Sequence, residues 1–571
     1  MAPFTCCEPD HICVSATDAC VGIGPWSAPA SVPASSVVDT LTVFASSQVA
    51  LDGQDADAQV LELAPDAVVR AWTQWGRYGV GAADYNAAYI ADCHARGIRV
   101  FGGASATALH RAQAAEAGLS LDDVATLDAG LSVVEHGPSN PTGLDVDTAD
   151  LLFYRLTLAN PKARALVVGL AQLQVDAGVD GMTFSDLNAG YQGTTAVPYD
   201  EGFDKYHRAD FNAYLMSLYP VGTNLADVLG IPLGDGLRRD VFPGDLTANF
   251  DFARFLRNKG WQADPFAHSY PLGKAWGQAV MGRPEPGAPT FVDGAEAYRY
   301  WPAIAGAVRA YARDRYGREL LMAADGVYPA VDVHSVALRD DNVDGPEKTV
   351  VTYVHLTSDE HLDGMYSFQN AFLRLKARGA TFAPGAPVVA YLDGFWNKYN
   401  FLPASEQADY WRMYSAEAYA SGIFLAFHLK GVPGSGAPLT VAPPVMAAYK
   451  SLADFYRAHA AMYHGVVPSA TPLPPLPRVT VAIADRLGGA AGAVLQRYVH
   501  IVNHQYSRAF LPQSNLAVTF ASPSRPAAIT LASPDQPADL AAFPFTYDEL
   551  AAATTVVLPS LVSYTVIDVL Y

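Results

Sequence analysis

Three acidic residues stand where short apolar runs end. Asp186 follows Gly181-Met182-Thr183-Phe184-Ser185, Asp325 follows Leu320-Leu321-Met322-Ala323-Ala324, and Asp393 follows Val388-Val389-Ala390-Tyr391-Leu392. An apolar run one strand long that stops at a carboxylate puts that carboxylate at a strand end. Several carboxylates brought to one place raise each other's pKa and cost stability, so a shared location implies chemistry that needs them. Cleavage of a glycosidic bond is such a chemistry. It uses one ionised and one protonated carboxyl group, ~5–5.5 Å apart for retention or ~6.5–9.5 Å for inversion. Asp186 and Asp325 are the expected catalytic pair, the first as nucleophile or base and the second as acid. Asp180-Gly181 precedes its run and reads instead as a turn at the opposite end, because Asp before Gly commonly opens one.

Around this pair the sequence offers groups suited to sugar hydroxyls and pyranose faces. Trp72, Trp75 and Arg77 follow the first expected strand, Glu135 the third and Asn188 the fourth. His355, Asp359 and Glu360 follow the sixth, Asp393 and Trp396 the seventh, and His428 the eighth. The tryptophans are expected as stacking platforms, and Asn188, His355 and Asp393 as partners of hydroxyl groups. No metal or other cofactor is expected: His355, Asp359, Glu360 and His361 do not reproduce the His-Glu-x-x-His spacing of a zinc site. The chain also lacks a Gly-x-Ser-x-Gly elbow, which argues against an α/β-hydrolase.

The elements that must position these residues follow a rhythm. Strands are expected at Val68–Trp72, Ile98–Phe101, Leu131–Val134, Gly181–Phe184, Leu320–Ala323, Val350–Val354, Val388–Leu392 and Ile423–Phe427. Amphipathic helices precede five of them and stop at Gly97, Gly178, Gly317, Gly379 and Gly422, where glycine supplies the left-handed turn. Asn160-Pro161 opens one helix as N-cap and first-turn proline. Continuously apolar strands alternating with helices imply parallel strands buried on both faces. Eight such units fit a closed (β/α)8 TIM barrel with its working groups at the C-terminal strand ends. A doubly wound sheet would show a glycine-rich phosphate loop after its first strand, and Gly102-Gly103 alone does not make one.

The expected division is a Cys-containing lead over 1–60, with a possible edge strand in Val37–Val49, then a catalytic barrel over 61–465 with a long insertion at 189–300. A Pro-rich linker over 466–477 follows. An antiparallel β-sandwich over 478–571 ends the chain, where helical periodicity gives way to short alternating runs.

Hydrophobic residues make up 50% of the 571, charged residues 16%, and the net charge is -20. That balance describes a folded chain. It argues against sequence-independent binding to DNA or RNA, which relies on Lys and Arg at phosphates. No run of about 18 apolar residues is present to span a membrane. The 30 Tyr and 8 Trp suit a carbohydrate partner, since aromatic faces stack on pyranose CH groups. Composition carries no signal for oligomeric state. Cys6, Cys7, Cys13 and Cys20 crowd the start of the chain, a pattern of disulfides formed in an oxidising compartment. Cys93 is expected as a buried thiol. With no basic start followed by an apolar run, the expectation is a secreted protein read from its mature end.

With "DGMTFSD" at the fourth expected strand, "YLDGFW" at the seventh and "VHIVNHQYS" near the C-terminus, the chain resembles secreted polysaccharide-active glycoside hydrolases of the dextranase-like and α-galactosidase-like groups. The resemblance implies a barrel followed by a β-sandwich and hydrolysis of an oligo- or polysaccharide. It implies a strand-four Asp nucleophile, which is Asp186 here, and an acid from a later strand. The expected sixth strand ends in His355 rather than an acid, so Asp325, Asp359 and Glu360 stay open for that role. Two other readings stand beside this one. A polysaccharide lyase would use His355 or a Tyr as base, with Arg77 or Asn188 on a uronate carboxylate. A carbohydrate-binding protein would bind sugar without turnover.

Overall fold

Eight short parallel strands, each buried on both faces, close into a barrel, as the alternation of apolar runs and helices predicts. The computed structural model describes residues 38–47, 54–72, 87–105, 160–185, 300–325, 330–338, 369–392, 403–429, 441–469, 476–488 and 492–571. It also describes short pieces at 11–13, 20–22, 108–110, 126–127, 132–133, 135–136, 153–155, 219–224 and 246–247, and the single residues 158, 206, 216 and 328. The barrel strands are β1 (Phe44–Ser47), β2 (Ala67–Trp72), β3 (Arg99–Ser105), β4 (Gly181–Ser185), β5 (Leu321–Asp325), β6 (Val333–Leu338), β7 (Val388–Leu392) and β8 (Phe424–His428). They pair in chain order, and β8 returns to β1 to close the ring. The helices around them are α1 (Gln54–Leu63), α2 (Ala87–Ala95), α3 (Pro161–Ala177), α4 (Tyr300–Tyr316), α5 (Gln369–Phe382), α6 (Ala404–Ala420) and α7 (Pro443–Ala458).

Two strands differ from the expected set. The first is β1, which belongs to the barrel rather than to a lead or an edge. Its Phe-Ala-Ser-Ser run broke the continuous apolar signal. The barrel therefore starts before residue 61, and the expected first strand is β2. Leu131–Val134 is not a barrel strand: Ser132–Val133 pairs with Thr126–Leu127 in a two-stranded antiparallel ribbon. The sixth strand is β6, and not Val350–Val354, a segment outside the described residues. Only seven residues separate Asp325 from Val333, with no helix among the described residues between them, so no helix-glycine signal announced β6. Parallel neighbours usually need a crossover of a dozen residues or more.

Glycine ends four of the five helices as expected, with φ of 75° at Gly97, 110° at Gly178, 63° at Gly317 and 72° at Gly422. Gly379 does not. Helix α5 runs through it, because it is a site of close approach: a β-carbon there would stand 2.8 Å from Val388 Cγ2. At the start of α3, Asn160 Oδ1 accepts from the Lys162 N–H at 2.9 Å, ahead of Pro161.

The N-terminal face of the barrel is held by a recurring device. Asp66, Asp180 and Asp332 each stand one residue before β2, β4 and β6. Each turns Oδ2 to backbone N–H groups at the start of the preceding strand: Asp66 to Thr42 and Val43 (2.9 and 2.8 Å), Asp180 to Val100 (2.8 Å), Asp332 to Met322 (2.7 Å). A basic side chain backs each one, Arg457, His94 and Arg309 in turn. Asp180 is therefore structural, as its place before the run predicted.

The C-terminal region is an antiparallel β-sandwich. One sheet contains β9 (Val467–Pro468), β10 (Val479–Gly488), β11 (Ala493–Asn503), β13 (Ala528–Ala532) and β16 (Tyr564–Leu570). The other contains β12 (Gln513–Ala521), β14 (Phe545–Asp548) and β15 (Ala553–Leu561). The segment expected as a linker supplies β9 and is hydrogen-bonded to the edge of β10. The barrel core continues into the sandwich through Tyr463, Tyr498, Tyr506 and Tyr564. Across the junction Glu417, fully buried, lies 2.9 Å from His504 Nε2. Among the described residues no disulfide is present, and Cys93 is a buried free thiol, as expected. No helix among the described residues is long and apolar enough to cross a membrane.

Candidate active site

Contacts to the helices establish which face of each strand lies inside the barrel. Phe184 packs edge-on against Trp301 of α4 with ring centroids 5.1 Å apart, and Phe427 lies tilted against Trp411 of α6 at 5.7 Å. His334 Nε2 donates to the Gly379 carbonyl of α5 at 3.1 Å. Burial there pushes the His334 pKa down to about 4. These residues face outward, so their neighbours along each strand face inward. Thr183 agrees: its hydroxyl donates to the Val69 carbonyl on β2, reaching past β3.

The interior face changes character with height. Along the strands the inward residue changes toward the C-terminal end: Phe44 gives way to Ser46, Leu321 to Ala323, Val333 to Ser335, Val389 to Tyr391 and Phe424 to Ala426, all buried. With Thr183 these make a hydroxyl-bearing layer of the barrel interior. The hydroxyls of Ser46 and Ser335 have no hydrogen-bond partner among the described residues. Buried hydroxyls without a partner cost stability, so this layer is built at some expense to the fold.

At the strand ends the register brings three expected residues to one mouth. Trp72 ends β2 opposite Gly103, Asp325 ends β5 opposite Ser335, and His428 ends β8 opposite Ser46. His428 is buried in the wall. Ser185 ends β4 and Leu392 ends β7. The residues that follow them, Asp186 and Asp393, lie outside the described residues, as do Trp75, Arg77, Asn188, His355, Asp359, Glu360 and Trp396. Two placements change. Trp72 follows the second strand, not the first. Glu135 does not end a barrel strand: it pairs with Tyr154 in a small antiparallel sheet within the connection from β3 to α3. That sheet takes its polar residues from a segment whose short alternation imitated a barrel strand. The reasoning from sequence missed Ser46, Thr183, Ser335 and Tyr391. Their signal is a hydroxyl inside an otherwise apolar run, easily passed over when only strand ends are searched.

No protein-family model matches the sequence, and no curated protein matches it. Solved structures do. A Paenibacillus sp. cycloisomaltooligosaccharide glucanotransferase complexed with cycloisomaltoheptaose superimposes with a TM-score of 0.51 at 10% identity, over 92% of this chain and 84% of that one. An Anoxybacillus alpha-amylase gives 0.46 at 8% identity, over 93% and 98%. Bacillus licheniformis trehalose-6-phosphate hydrolase gives 0.45 at 10%, over 93% and 99%. What is shared is the fold. Among the described residues, no group of His, Cys, Asp and Glu could hold a metal ion.

Proposed function

We propose that the chain is a glycosidase that cleaves an oligo- or polysaccharide with two carboxyl groups at the mouth of the barrel. One observation carries this reading: β4 and β5 are hydrogen-bonded neighbours, Asp325 is the last residue of β5, and Asp186 follows directly on the last residue of β4. Adjacent strands lie ~4.8 Å apart. Groups at the ends of two such strands fall in the ~5–9.5 Å range over which paired carboxyls hydrolyse glycosides. Asp325 is favoured as the acid because it is the candidate that ends a described barrel strand; Asp359 and Glu360 lie outside the described residues, as does His355, the base of the lyase reading.

In this reading Asp325 is the protonated member of the pair and Asp186 the ionised one, since two carboxyls close together do not both ionise. It gives its proton to the glycosidic oxygen while Asp186 attacks the anomeric carbon directly or activates a water. Trp72, the last residue of β2, is the stacking platform of this reading, and His428, buried at the end of β8, a donor or acceptor across the ring from β4.

The test is a polysaccharide and oligosaccharide panel, with dextran and cycloisomaltoheptaose included, followed by reducing ends and ultraviolet absorbance together. Reducing ends without absorbance are expected. Asp186→Asn and Asp325→Asn should each lower kcat by about 10²–10⁴ at an unchanged urea midpoint. Full activity of Asp186→Asn would sink the proposal. Absorbance from an unsaturated product would assign a lyase, and saturable binding without turnover a carbohydrate-binding protein.

The extracellular placement belongs to the same proposal. Cys13 and Cys20 are register partners in a two-stranded antiparallel ribbon. Directly opposed Cα atoms of that kind lie ~4.5–5.5 Å apart, within disulfide reach. Thiol titration of the denatured protein should count one free thiol, Cys93. A count of all five would return the protein to a reducing compartment.

A further inference from the structure

A cavity of about 110 Å³ lies between the barrel and the sandwich, on the side of the N-terminal strand ends, where Ser421 and Gly422 lead into β8. Helix α5 and the C-terminal end of α6 wall one side, and β9, β10 and β11 the other. Among the described residues that line it, Lys376 is the one charged side chain. Its Nζ rests against Gly422, in the space a β-carbon there would fill. Among the described residues it has no ion-pair or hydrogen-bond partner. Ser421, 3% exposed, lines the same cavity, and its hydroxyl also lacks a partner. From the sandwich side His500 presents its ring, with Nδ1 engaged by the Tyr564 hydroxyl at 2.7 Å. Burial pushes the Lys376 pKa down, and burial together with the Lys376 charge pushes His500 down to about 3. The cavity therefore contains a partly buried ammonium beside a neutral imidazole, with no carboxylate among the described residues of its lining.

We propose that this interdomain cavity binds a small oxyanion, a phosphate or a carboxylate group, held by Lys376 Nζ and Ser421 Oγ. A lysine on a flexible stem normally turns its charge to water. One kept inside without a counter-charge is costly. An oxyanion supplies the missing charge and accepts from both the ammonium and the hydroxyl. The volume is several times the ~30 Å³ of a water in the liquid, room enough for a group of four or five heavy atoms. Because the walls come from two domains, the ligand stabilises their docked arrangement. The proposal is independent of the catalytic reading.

Thermal unfolding and calorimetric titration test it, with inorganic phosphate and acetate as probes against chloride at equal ionic strength. A saturable rise in Tm and saturable heat are expected with at least one probe: phosphate alone points to a phosphate group, acetate as well to a site that also takes a carboxylate. Lys376→Met should weaken binding by about tenfold or more, the fold-change a charge-assisted hydrogen bond carries, and Ser421→Ala by less. If Lys376→Met does not fold, Ser421→Ala and the His500 imidazole resonances of the wild type decide the matter. Those resonances should shift with the same saturation curve. No saturable effect in the wild type, or an equal one in Lys376→Met, overturns the proposal.

Discussion

An aspartate at a strand boundary means one thing at the N-terminal face of this barrel and another at the C-terminal face. Asp66, Asp180 and Asp332 precede their strands and spend their lone pairs on backbone N–H groups that the barrel's first rungs leave unpaired. Asp325 ends its strand as the register partner of Ser335. The difference is testable at Asp332, which is buried and also paired with Arg309 at 2.7 Å. Asp332→Ala leaves the Met322 N–H and the guanidinium without their acceptor. We expect a loss of about 2–3 kcal/mol in urea unfolding, less than for a fully buried pair because Arg309 is partly exposed. Its kcat should be unchanged. Asp325→Asn should do the reverse, so the two variants together separate the stabilising face from the working face.

At the scale of elements, close packing overrides local signals. Glycine in a helix interior is normally about 0.5–1 kcal/mol worse than alanine, so Gly379→Ala would stabilise α5 if propensity decided. The added β-carbon would meet Val388 Cγ2 at 2.8 Å and His334 Cδ2 at 3.1 Å, both on strands behind the helix. Overpacking of that kind costs about 1–3 kcal/mol, and the net expectation is a lower urea midpoint. A raised midpoint would show that α5 has room to shift. The seven-residue connection from β5 to β6 belongs to the same scale. It makes Ser335 the register partner of Asp325, a pairing that no helix-glycine signal announced.

For the whole molecule, barrel and sandwich are joined through shared core rather than tethered. Tyr419 and Tyr456 stack 3.7 Å apart, and the Tyr463 and Tyr564 hydroxyls meet at 3.3 Å across the junction. Burial raises the pKa of all four tyrosines, so they stay protonated and able to donate. Two histidines buried in the neutral form make the assembly acid-sensitive. His334 titrates at about 4 and His500 at about 3 in the folded protein, against about 6.5 unfolded. The unfolded chain takes up these protons first, so their contribution is complete above pH 6.5 and is lost as pH falls toward the folded values. Each removes up to about 1.4 kcal/mol per pH unit in that window. Urea midpoints at pH 7 and pH 5 should differ accordingly, and His334→Gln should reduce the difference. An equal difference in both proteins would mean that other groups carry the acid sensitivity.

The sequence by itself determined the fold class, six of the eight barrel strands and the C-terminal sandwich, because continuous burial on both faces demands continuous apolar runs and left-handed turns demand glycine. It also marked Trp72, Asp325 and His428 as strand-end residues, since a polar group ending such a run has nowhere else to go. The tertiary structure decided what local patterns do not encode. It made Phe44–Ser47 and Val333–Leu338 barrel strands, because closing the ring pairs their backbones with neighbours distant in the chain. It moved Glu135 off the barrel for the complementary reason, that its short run pairs with Phe153–Arg155 instead. And it turned Ser46, Thr183, Ser335 and Tyr391 into the barrel interior, because which face of a strand looks inward depends on register, and register is a property of the assembled sheet.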